Sequence, residues 1–424
     1  MTVWLILTAA GLALTAAAVY GGAMLGTRSA PFLGSYRWQL IPSSALAPAV
    51  ALVVVIAAAR GWQERMRWSL LYLAAYLAFV SWALALALTD GTSGLIKGVT
   101  SPDEYLVDLD SIGDHPATFL SSFTALAPEH SAATRGHPPG PVLLLWALGR
   151  AGLTSHLGLG LLITALGGLA VPLILSTIRD ICGDVPARRY APVLCLAPYA
   201  IWSAVSMDAI VAVLAAALIA AGVRASGKRS HGWTAAGWAA LAGLLTGIAA
   251  LFSYAAPWLG LSLVCLYFAR RRAFLNVVTG LLALLPVLVV QVGGFTWADG
   301  LRAAEADYTI RIEPYRSAVW WGGISLVVLL LAAGPTLVAS ARKLRNTPAW
   351  PCLVGAFAAV VFSVLAGLAR GGVEHAWLPF FPWLTVAAIA PERQGGDPAQ
   401  TPVVLVALGA ATAIVIEAVL ASPW

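Results

Sequence analysis

Charged side chains are scarce in this sequence, and their scarcity excludes a soluble fold. Only 10% of the 424 residues are Asp, Glu, Lys or Arg, whereas 60% are hydrophobic, and the mean hydropathy is +0.85. A soluble domain carries about 25% charged residues, so this chain has too few of them to cover a surface that faces water. The sequence therefore predicts an integral membrane protein with many spans.

Cysteine is also rare, and its spacing gives no sign of a disulfide framework or a zinc site. The four cysteines are scattered along the chain at Cys182, Cys195, Cys265 and Cys352. The net charge of +6 does not indicate nucleic acid either. The basic residues fall in short clusters between apolar stretches, as they do in cytoplasmic loops of membrane proteins, so we predict no nucleic-acid partner.

Thirteen apolar segments are candidate transmembrane helices, since a span needs about 20 apolar residues. They lie near residues 3–25, 44–59, 69–88, 157–178, 190–204, 207–223, 233–251, 255–269, 274–292, 317–340, 350–369, 377–390 and 401–420. Residues 138–152 are also apolar but too short, and we expect a helix in or dipping into the membrane interface. The predicted fold is all-α and polytopic, a single domain over residues 1–424 with about 13 transmembrane helices and further juxtamembrane helices on the outer face.

The charged residues are distributed unequally between the two sides of these spans. With the N-terminus in the cytoplasm, 16 of the 25 Lys and Arg residues fall on the cytoplasmic side, as the positive-inside rule requires. Of the 19 acidic residues, 14 fall on the outer side or at outer helix ends. We therefore predict a multi-pass protein of the plasma membrane with its active site on the outer face.

The longest polar stretch, residues 89–137, lies on that outer side. It contains the acidic run "SPDEYLVDLDSIGDHP" and ends in the proline elbow "TRGHPPGP". Loops of this length are often functional, and the apolar residues within it suggest pieces that lie on the membrane surface. We define residues 89–156 as the first large outer loop and expect it to carry the site. The alternative is a solvated acidic loop with ordinary turn residues.

Two further outer segments carry side chains suited to chemistry. The segment "WSAVSMDAIV" places Asp208 at the start of a span, where it is either a helix cap or a functional acid. The segment "ARGGVEHAWLPFFPW" brings Arg370, Glu374 and His375 close together between two apolar segments. Both segments are predicted to lie on the same side as the first large outer loop.

Together these segments resemble the GT-C membrane glycosyltransferases, which use polyprenyl-phosphate sugars. The branch of protein O-mannosyltransferases and lipid A aminoarabinose transferases carries a "DE" pair and an "HPPL" or "KPPL" elbow at these places. The matching stretches here are Asp103 with Glu104 and the "HPP" run at 137–139, with Gly140 in place of the leucine. By the order of its elements, the resemblance covers residues 69–390.

The "GGVEHAW" segment resembles a "GEVERIW" pattern in related proteins of actinobacterial type. His375 stands where that pattern has an arginine.

The resemblance implies transfer of a sugar from a polyprenyl-phosphate donor to a cell-envelope glycan or glycolipid, with inversion. Such a transfer needs a base near the acceptor hydroxyl and cations near the departing phosphate. Asp103 is the first candidate for the base and Glu104 the second. The candidate substrate-binding residues are the other polar residues of the outer segments, namely Arg135, His137, Asp208, Arg311, Arg370, Glu374 and His375.

The predicted partners are the lipid-linked donor, the glycan or glycolipid acceptor and the membrane lipids. The sequence has no recognisable metal motif, but some GT-C enzymes need a divalent cation, so Mg²⁺ or Mn²⁺ stays open as a cofactor. Two alternatives also stay open. One is a non-catalytic relative that binds a glycolipid or serves as an assembly partner. The other is a transporter of lipid-linked glycans, which predicts polar residues at mid-span depth where these segments have almost none.

Overall fold

The computed structural model describes residues 1–421, and these are predominantly helical. The helices of the first half are α1 (Thr2–Tyr20), α2 (Leu46–Ala59), α3 (Trp62–Arg65), α4 (Trp68–Ala87), α5 (Lys97–Thr100), α6 (Pro116–Ser122), α7 (Ala132–Gly136), α8 (Gly140–Arg150), α9 (His156–Gly168), α10 (Ala170–Cys182) and α11 (Asp184–Cys195). Those of the second half are α12 (Met207–Ala225), α13 (Gly232–Ala250), α14 (Ala256–Ala269), α15 (Leu275–Val292), α16 (Trp297–Arg311), α17 (Ala318–Ala332), α18 (Thr336–Lys343), α19 (Trp350–Leu365), α20 (Val373–Ala376), α21 (Phe381–Leu384) and α22 (Val403–Val419).

Shorter elements connect these helices. The 3₁₀ helices are Pro42–Ala45, Leu88–Leu95, Tyr105–Ser111, Ala127–Glu129, Pro198–Ser203, Glu313–Tyr315, Leu344–Asn346 and Val386–Ile389. Two strands of two residues each, β1 (Ser35–Tyr36) and β2 (Leu420–Ala421), pair antiparallel with Ser35 opposite Ala421. This pairing joins the segment after α1 to the end of α22.

Several helical stretches are long and apolar enough to cross a membrane. Within residues 1–421, seven pass as single stretches: Thr2–Tyr20, Pro42–Ala59, Trp68–Leu95, His156–Cys182, Met207–Ala225, Gly232–Ala250 and Leu275–Val292. An eighth is formed if the pair Trp297–Tyr315 and Ala318–Ala332, bent by 97°, counts as one span. The chain is therefore an all-α, multi-pass membrane protein, as the composition predicted.

Several of the thirteen predicted spans are broken rather than continuous. Residues 190–204 form the end of α11 followed by the 3₁₀ helix Pro198–Ser203, and residues 377–390 form α21 and a 3₁₀ helix. Proline explains both breaks, because it removes a backbone donor and clashes with the preceding turn. Residues 377–390 are buried throughout, so their apolar character reflects packing inside the bundle. The total of about 13 crossings stays a prediction.

Helix α12 lies at the centre of the bundle. It packs against α9, α10, α13 and α14. Of an 18-residue stretch of this helix, 61% is buried inside the protein, against 11% for α15. Asp208 lies in its first turn and Arg224 in its last turn. The helix therefore has a carboxylate at one end and a guanidinium at the other.

The first large outer loop is folded into short helices, α5 to α8, joined by 3₁₀ turns. Its apolar residues were expected to lie on the membrane surface, but Tyr105, Ile112, Phe119 and Phe123 are buried in a core of their own beneath the loop. Val142 of α8 packs into the same core. Burial among themselves removes this apolar surface from water without help from lipid.

Candidate active site

The helix predicted over residues 138–152 is present and begins at the proline elbow. Helix α7 ends at Gly136, and α8 begins at Gly140 with Pro139 as its N-cap and Pro141 in its first turn. Proline is well suited to a helix start, where its missing N–H costs no hydrogen bond.

Gly140 has a packing reason to depart from the leucine of the family pattern. Its N–H donates to the Leu251 carbonyl oxygen at 2.8 Å. A Cβ atom at position 140 would collide with that same oxygen and with the Phe252 ring. The elbow is therefore packed directly against the turn that follows α13.

His137 packs against the outer loop beside the elbow. Its Nδ1 lies 2.9 Å from the Ala133 carbonyl oxygen, and its ring meets that of Tyr105 edge-on with centroids 5.8 Å apart. Asp208 lies near enough to interact with it electrostatically. His137 thus borders the site but does not line its cavity.

The adjacent carboxylates Asp103 and Glu104 lie in different environments. Asp103 is exposed, and its carbonyl oxygen accepts a hydrogen bond from Ala133 N–H at 2.9 Å. Glu104 is half-buried and lines a small cavity of about 50 Å³. The structure thus places the second candidate for the base in the cavity and the first one outside it.

His375 reaches the same cavity from the other end of the chain. Its Nδ1 lies 3.2 Å from Oδ2 of Asp208, and both side chains are about one-fifth exposed. Ser206, the N-cap of α12, accepts a hydrogen bond from the Asp208 N–H at 3.2 Å. Since Ser206 already caps the helix, the Asp208 carboxylate is available to hold the imidazole.

Three charged residues outside the predicted set complete the wall of the cavity. Lys97 donates to Oδ2 of Asp90 at 3.0 Å, and Glu417 of α22 also faces the cavity. Sequence reasoning missed all three. The signal for Lys97 was its rarity, because the chain has three lysines and the other two lie among basic clusters.

The backbone beside the cavity is strained at Val205. This residue has a φ of +56° although its side chain is β-branched, a conformation that is a genuine outlier for such a residue. Its N–H donates to Oγ1 of Thr164 at 2.9 Å, and its side chain is buried. Strain of this kind is concentrated at functional sites.

The electrostatics of the cavity favour a carboxyl group that titrates near neutral pH. Burial raises the pKa of Glu104 to about 7, opposed by the nearby His375 cation and assisted by Asp208 and Asp103. Burial disfavours the charged form of His375, but the hydrogen bond to Asp208 and the surrounding carboxylates outweigh it, so the pKa of His375 is raised. The site therefore places a histidine whose charged form is favoured beside a carboxyl poised to gain or lose a proton.

Glu374 lies deeper than its neighbour His375. It is 1% exposed, and its Oε2 has no hydrogen-bond partner in residues 1–421. Burial raises the pKa of this carboxyl, although His375 and Arg316 oppose the shift. Such a group is held closer to its neutral form than an exposed glutamate.

The three predicted arginines lie in ion pairs away from the cavity wall. Arg135 and Arg311 share the Asp307 carboxylate, at 3.1 and 2.8 Å. Arg370 pairs with Glu313 at 2.9 Å. Their assignment to substrate binding stays a prediction, and none of them lines the cavity that holds Glu104.

The arrangement does not provide a preformed metal centre. In the described part of the chain, no group of three or more His, Cys, Asp and Glu side chains could hold a metal ion. Asp208 is already engaged with His375 and Ser206. The requirement for Mg²⁺ or Mn²⁺ stays a prediction.

Fold and site together define a multi-pass α-helical membrane protein with a carboxylate-rich cavity at one end of its bundle. No protein-family model matches the chain, and no curated protein matches it. Among solved structures it is similar to ArnT from Cupriavidus metallidurans bound to undecaprenyl phosphate, with a TM-score of 0.46 and 17% identity over 74% of this chain and 59% of that one. The chain thus spans less than two thirds of the length of that protein.

Proposed function

We propose that this protein is a GT-C-like glycosyltransferase that moves a sugar from a polyprenyl-phosphate donor to a hydroxyl group of a cell-envelope glycan or glycolipid. The observation that carries the proposal is Glu104, a half-buried carboxylate that faces the cavity beside His375 with a pKa of about 7. A general base works best when its pKa lies near the working pH. The motif resemblance supplies the reaction class, and this carboxylate supplies the chemistry.

In the proposed reaction, Glu104 accepts the proton of the acceptor hydroxyl as its oxygen attacks the anomeric carbon of the donor. The bond between that carbon and the phosphate oxygen breaks, and the electron pair leaves with the polyprenyl phosphate. One displacement of this kind inverts the configuration at the anomeric carbon. Lys97 is the cation that we assign to the departing phosphate, since it lines the cavity with Glu104 and an ammonium stabilises such charge.

Asp208 is a positioning residue in this scheme. Its hydrogen bond to Nδ1 of His375, at 3.2 Å, fixes the ring and favours the imidazolium. The His375 cation in turn lowers the pKa of Glu104 toward the neutral range. In this scheme the histidine that replaces arginine at position 375 sets the pKa of the base, Glu104.

An apolar groove beside the site suits the isoprenoid tail of such a donor. It has a volume of about 480 Å³ and runs between α1 and α22, with Trp4, Phe32 and Val415 among its lining residues. Tyr36 lies at the groove and interacts electrostatically with Glu374. The groove therefore comes close to Glu374, the neighbour of His375 in the site, as a lipid with a reactive headgroup requires.

The test replaces Glu104 by Gln in a strain that lacks the native gene, with Asp103→Asn as the matched control. The envelope glycans of each strain are analysed by mass spectrometry, and membrane levels of the protein are compared by immunoblot. We expect Glu104→Gln to reduce the glycan product about 100-fold or more, the usual contribution of a general base, while Asp103→Asn retains most of it. Full product with Glu104→Gln contradicts the catalytic assignment of Glu104, and full product with both variants favours the non-catalytic relative.

A further inference from the structure

A second polar cavity lies at the other end of α12, away from the candidate active site. It is an open cleft of about 1190 Å³. Its wall includes the end of α12, the start of α13 and the turn between α14 and α15. Since α12 has 19 residues, the two cavities are separated by about 27 Å at 1.5 Å per residue. A ligand in this cleft would not touch the catalytic residues proposed above.

The cleft is strongly basic. Its lining carries two carboxylates and six cations, and the cations are Arg179, Arg224, Lys228, Arg229, Arg270 and Arg272. Both carboxylates are already paired: Asp184 with Arg179 at 2.8 Å, and Asp180 with Arg224 at 3.9 Å. The excess positive charge in the cleft therefore has no compensating anion within residues 1–421.

Two of the cations and one hydroxyl have spare hydrogen-bonding capacity. Lys228 and Arg229 are exposed, and their side chains make no ion pair or hydrogen bond with any residue the structure describes. Ser230 is 7% exposed and lines the cleft, yet its Oγ has no hydrogen-bond partner among the described residues. A buried hydroxyl without a partner is costly, so an acceptor in the cleft would stabilise this arrangement.

The same end of the bundle carries exposed aromatic side chains. Trp233 is 93% exposed, Phe268 62% and Phe274 63%, and they flank the basic turns of the cleft. Aromatic residues beside basic turns are typical of the membrane–water interface. The cleft thus opens where the headgroups of the bilayer lie.

We infer that this cleft binds the phosphate headgroup of an anionic phospholipid from the leaflet opposite the active site. The phosphate oxygens would accept hydrogen bonds from Lys228, Arg229 and the Ser230 hydroxyl. Basic pockets between transmembrane helices on the cytoplasmic side bind anionic headgroups in this way. The exposed aromatic rim favours a lipid over a soluble phosphate compound, because a soluble ligand gains nothing from it.

The experiment measures lipid binding to the full-length protein by native mass spectrometry in detergent. Cardiolipin, phosphatidylglycerol and phosphatidylcholine are titrated separately, and inorganic pyrophosphate is a fourth arm. The variants are the double substitution K228A/R229A, the single substitution Ser230→Ala and the control R65A/R67A. The control also removes two exposed cations from the predicted cytoplasmic side, but from a different turn, and their side chains make no hydrogen bond or ion pair with any residue in the described part of the chain.

We expect wild-type protein to retain cardiolipin and phosphatidylglycerol in preference to phosphatidylcholine. K228A/R229A should weaken that binding about 30-fold, which corresponds to about 1 kcal/mol for each of the two cations near the surface, and Ser230→Ala about threefold. The control should bind as the wild type does. Equal retention of all three lipids, an equal loss in the control, or binding of pyrophosphate without lipid selectivity would each overturn the proposal. None of these outcomes depends on glycosyl transfer.

Discussion

Asp103 and Glu104 show how strongly a carboxylate depends on its surroundings. They are neighbours in sequence, but the first is exposed and the second faces the cavity. Burial raises the pKa of Glu104 to about 7. At neutral pH this carboxyl can therefore both accept and release a proton, which a fully exposed carboxylate does poorly.

This environment predicts the pH dependence of the reaction. Glu104 must be deprotonated to act as a base, so kcat/KM should rise with pH through about 7 and level off above it. His375 lowers the pKa of Glu104, so His375→Gln should shift the rising limb to higher pH. Initial transfer rates from pH 5 to 9 measure both.

Asp110→Asn is the control for this shift. Asp110 is exposed and is not among the groups that perturb the pKa of Glu104. The rising limb of the pH profile of Asp110→Asn should therefore stay where it is in the wild type. If His375→Gln left the limb unmoved, or moved it to lower pH, the proposed coupling between the imidazolium and the base would be wrong.

At the residue level, the sequence predicted part of the site. Their titratable side chains and their location on the same predicted side of the membrane indicated Glu104, Asp208 and His375. The structure brings these three residues together. It ranked Asp103 first because burial cannot be read from two adjacent acids. It missed Lys97 because a single lysine after an apolar span is indistinguishable from an interface residue.

At the level of elements, the elbow is the feature that couples the outer loop to the bundle. Helix α8 begins where Gly140 contacts the backbone of Leu251, after α13. The His137 ring, three residues earlier, packs against Tyr105, and Tyr105 follows Glu104 directly. The position of Glu104 therefore depends on how closely α8 approaches the turn after α13.

Gly140→Ala should disrupt this approach. The added Cβ atom would collide with the Leu251 carbonyl oxygen, and overpacking of this kind costs about 1–3 kcal/mol. We expect a lower melting temperature in detergent and a loss of glycan product at normal membrane levels. Thermal unfolding followed by tryptophan fluorescence gives the first quantity, and glycan mass spectrometry gives the second.

Gly136→Ala is the matched control, because a Cβ atom there meets no atom within 4 Å. It should leave both quantities near wild type. An unchanged melting temperature for Gly140→Ala would show that the turn after α13 yields easily, and the dependence of Glu104 on this contact would then be incorrect.

Local element signals were reliable where backbone chemistry fixes the outcome. The Pro138–Pro139 pair predicted a helix start, and α8 begins directly after it at Gly140. Tertiary packing decided the rest. Residues 377–390 have the apolar composition of a span but are buried inside the bundle, and nothing in a hydropathy pattern distinguishes lipid from protein as the apolar environment.

At the level of the whole molecule, charge is divided between the two ends of the bundle. One end holds the small cavity with the carboxylates Asp90, Glu104 and Glu417 in its wall, and the other holds the basic cleft. Helix α12 connects the two ends. The same distribution of charge led to the positive-inside prediction. The predicted orientation in the membrane and the predicted side of the active site therefore rest on the same charged residues.

Cysteine labelling tests this arrangement directly. In a background where Cys182, Cys195, Cys265 and Cys352 are replaced by Ala, the single substitutions Asp110→Cys and Lys228→Cys each place a thiol at an exposed position. We expect a membrane-impermeant maleimide to label Asp110→Cys in intact cells but Lys228→Cys only after permeabilisation. Band shifts on a gel after alkylation give the labelled fraction.

The two positions together separate the possible errors. Labelling of Lys228→Cys alone in intact cells would reverse the orientation and place the carboxylate cavity in the cytoplasm, where a donor presented at the outer leaflet could not reach it. Labelling of both from outside would mean that α12 does not cross the bilayer, although its 19 residues, apolar between Asp208 and Arg224, match the length that a span requires. Only the expected pattern keeps the base on the side where envelope glycans are assembled and the basic cleft at the opposite leaflet.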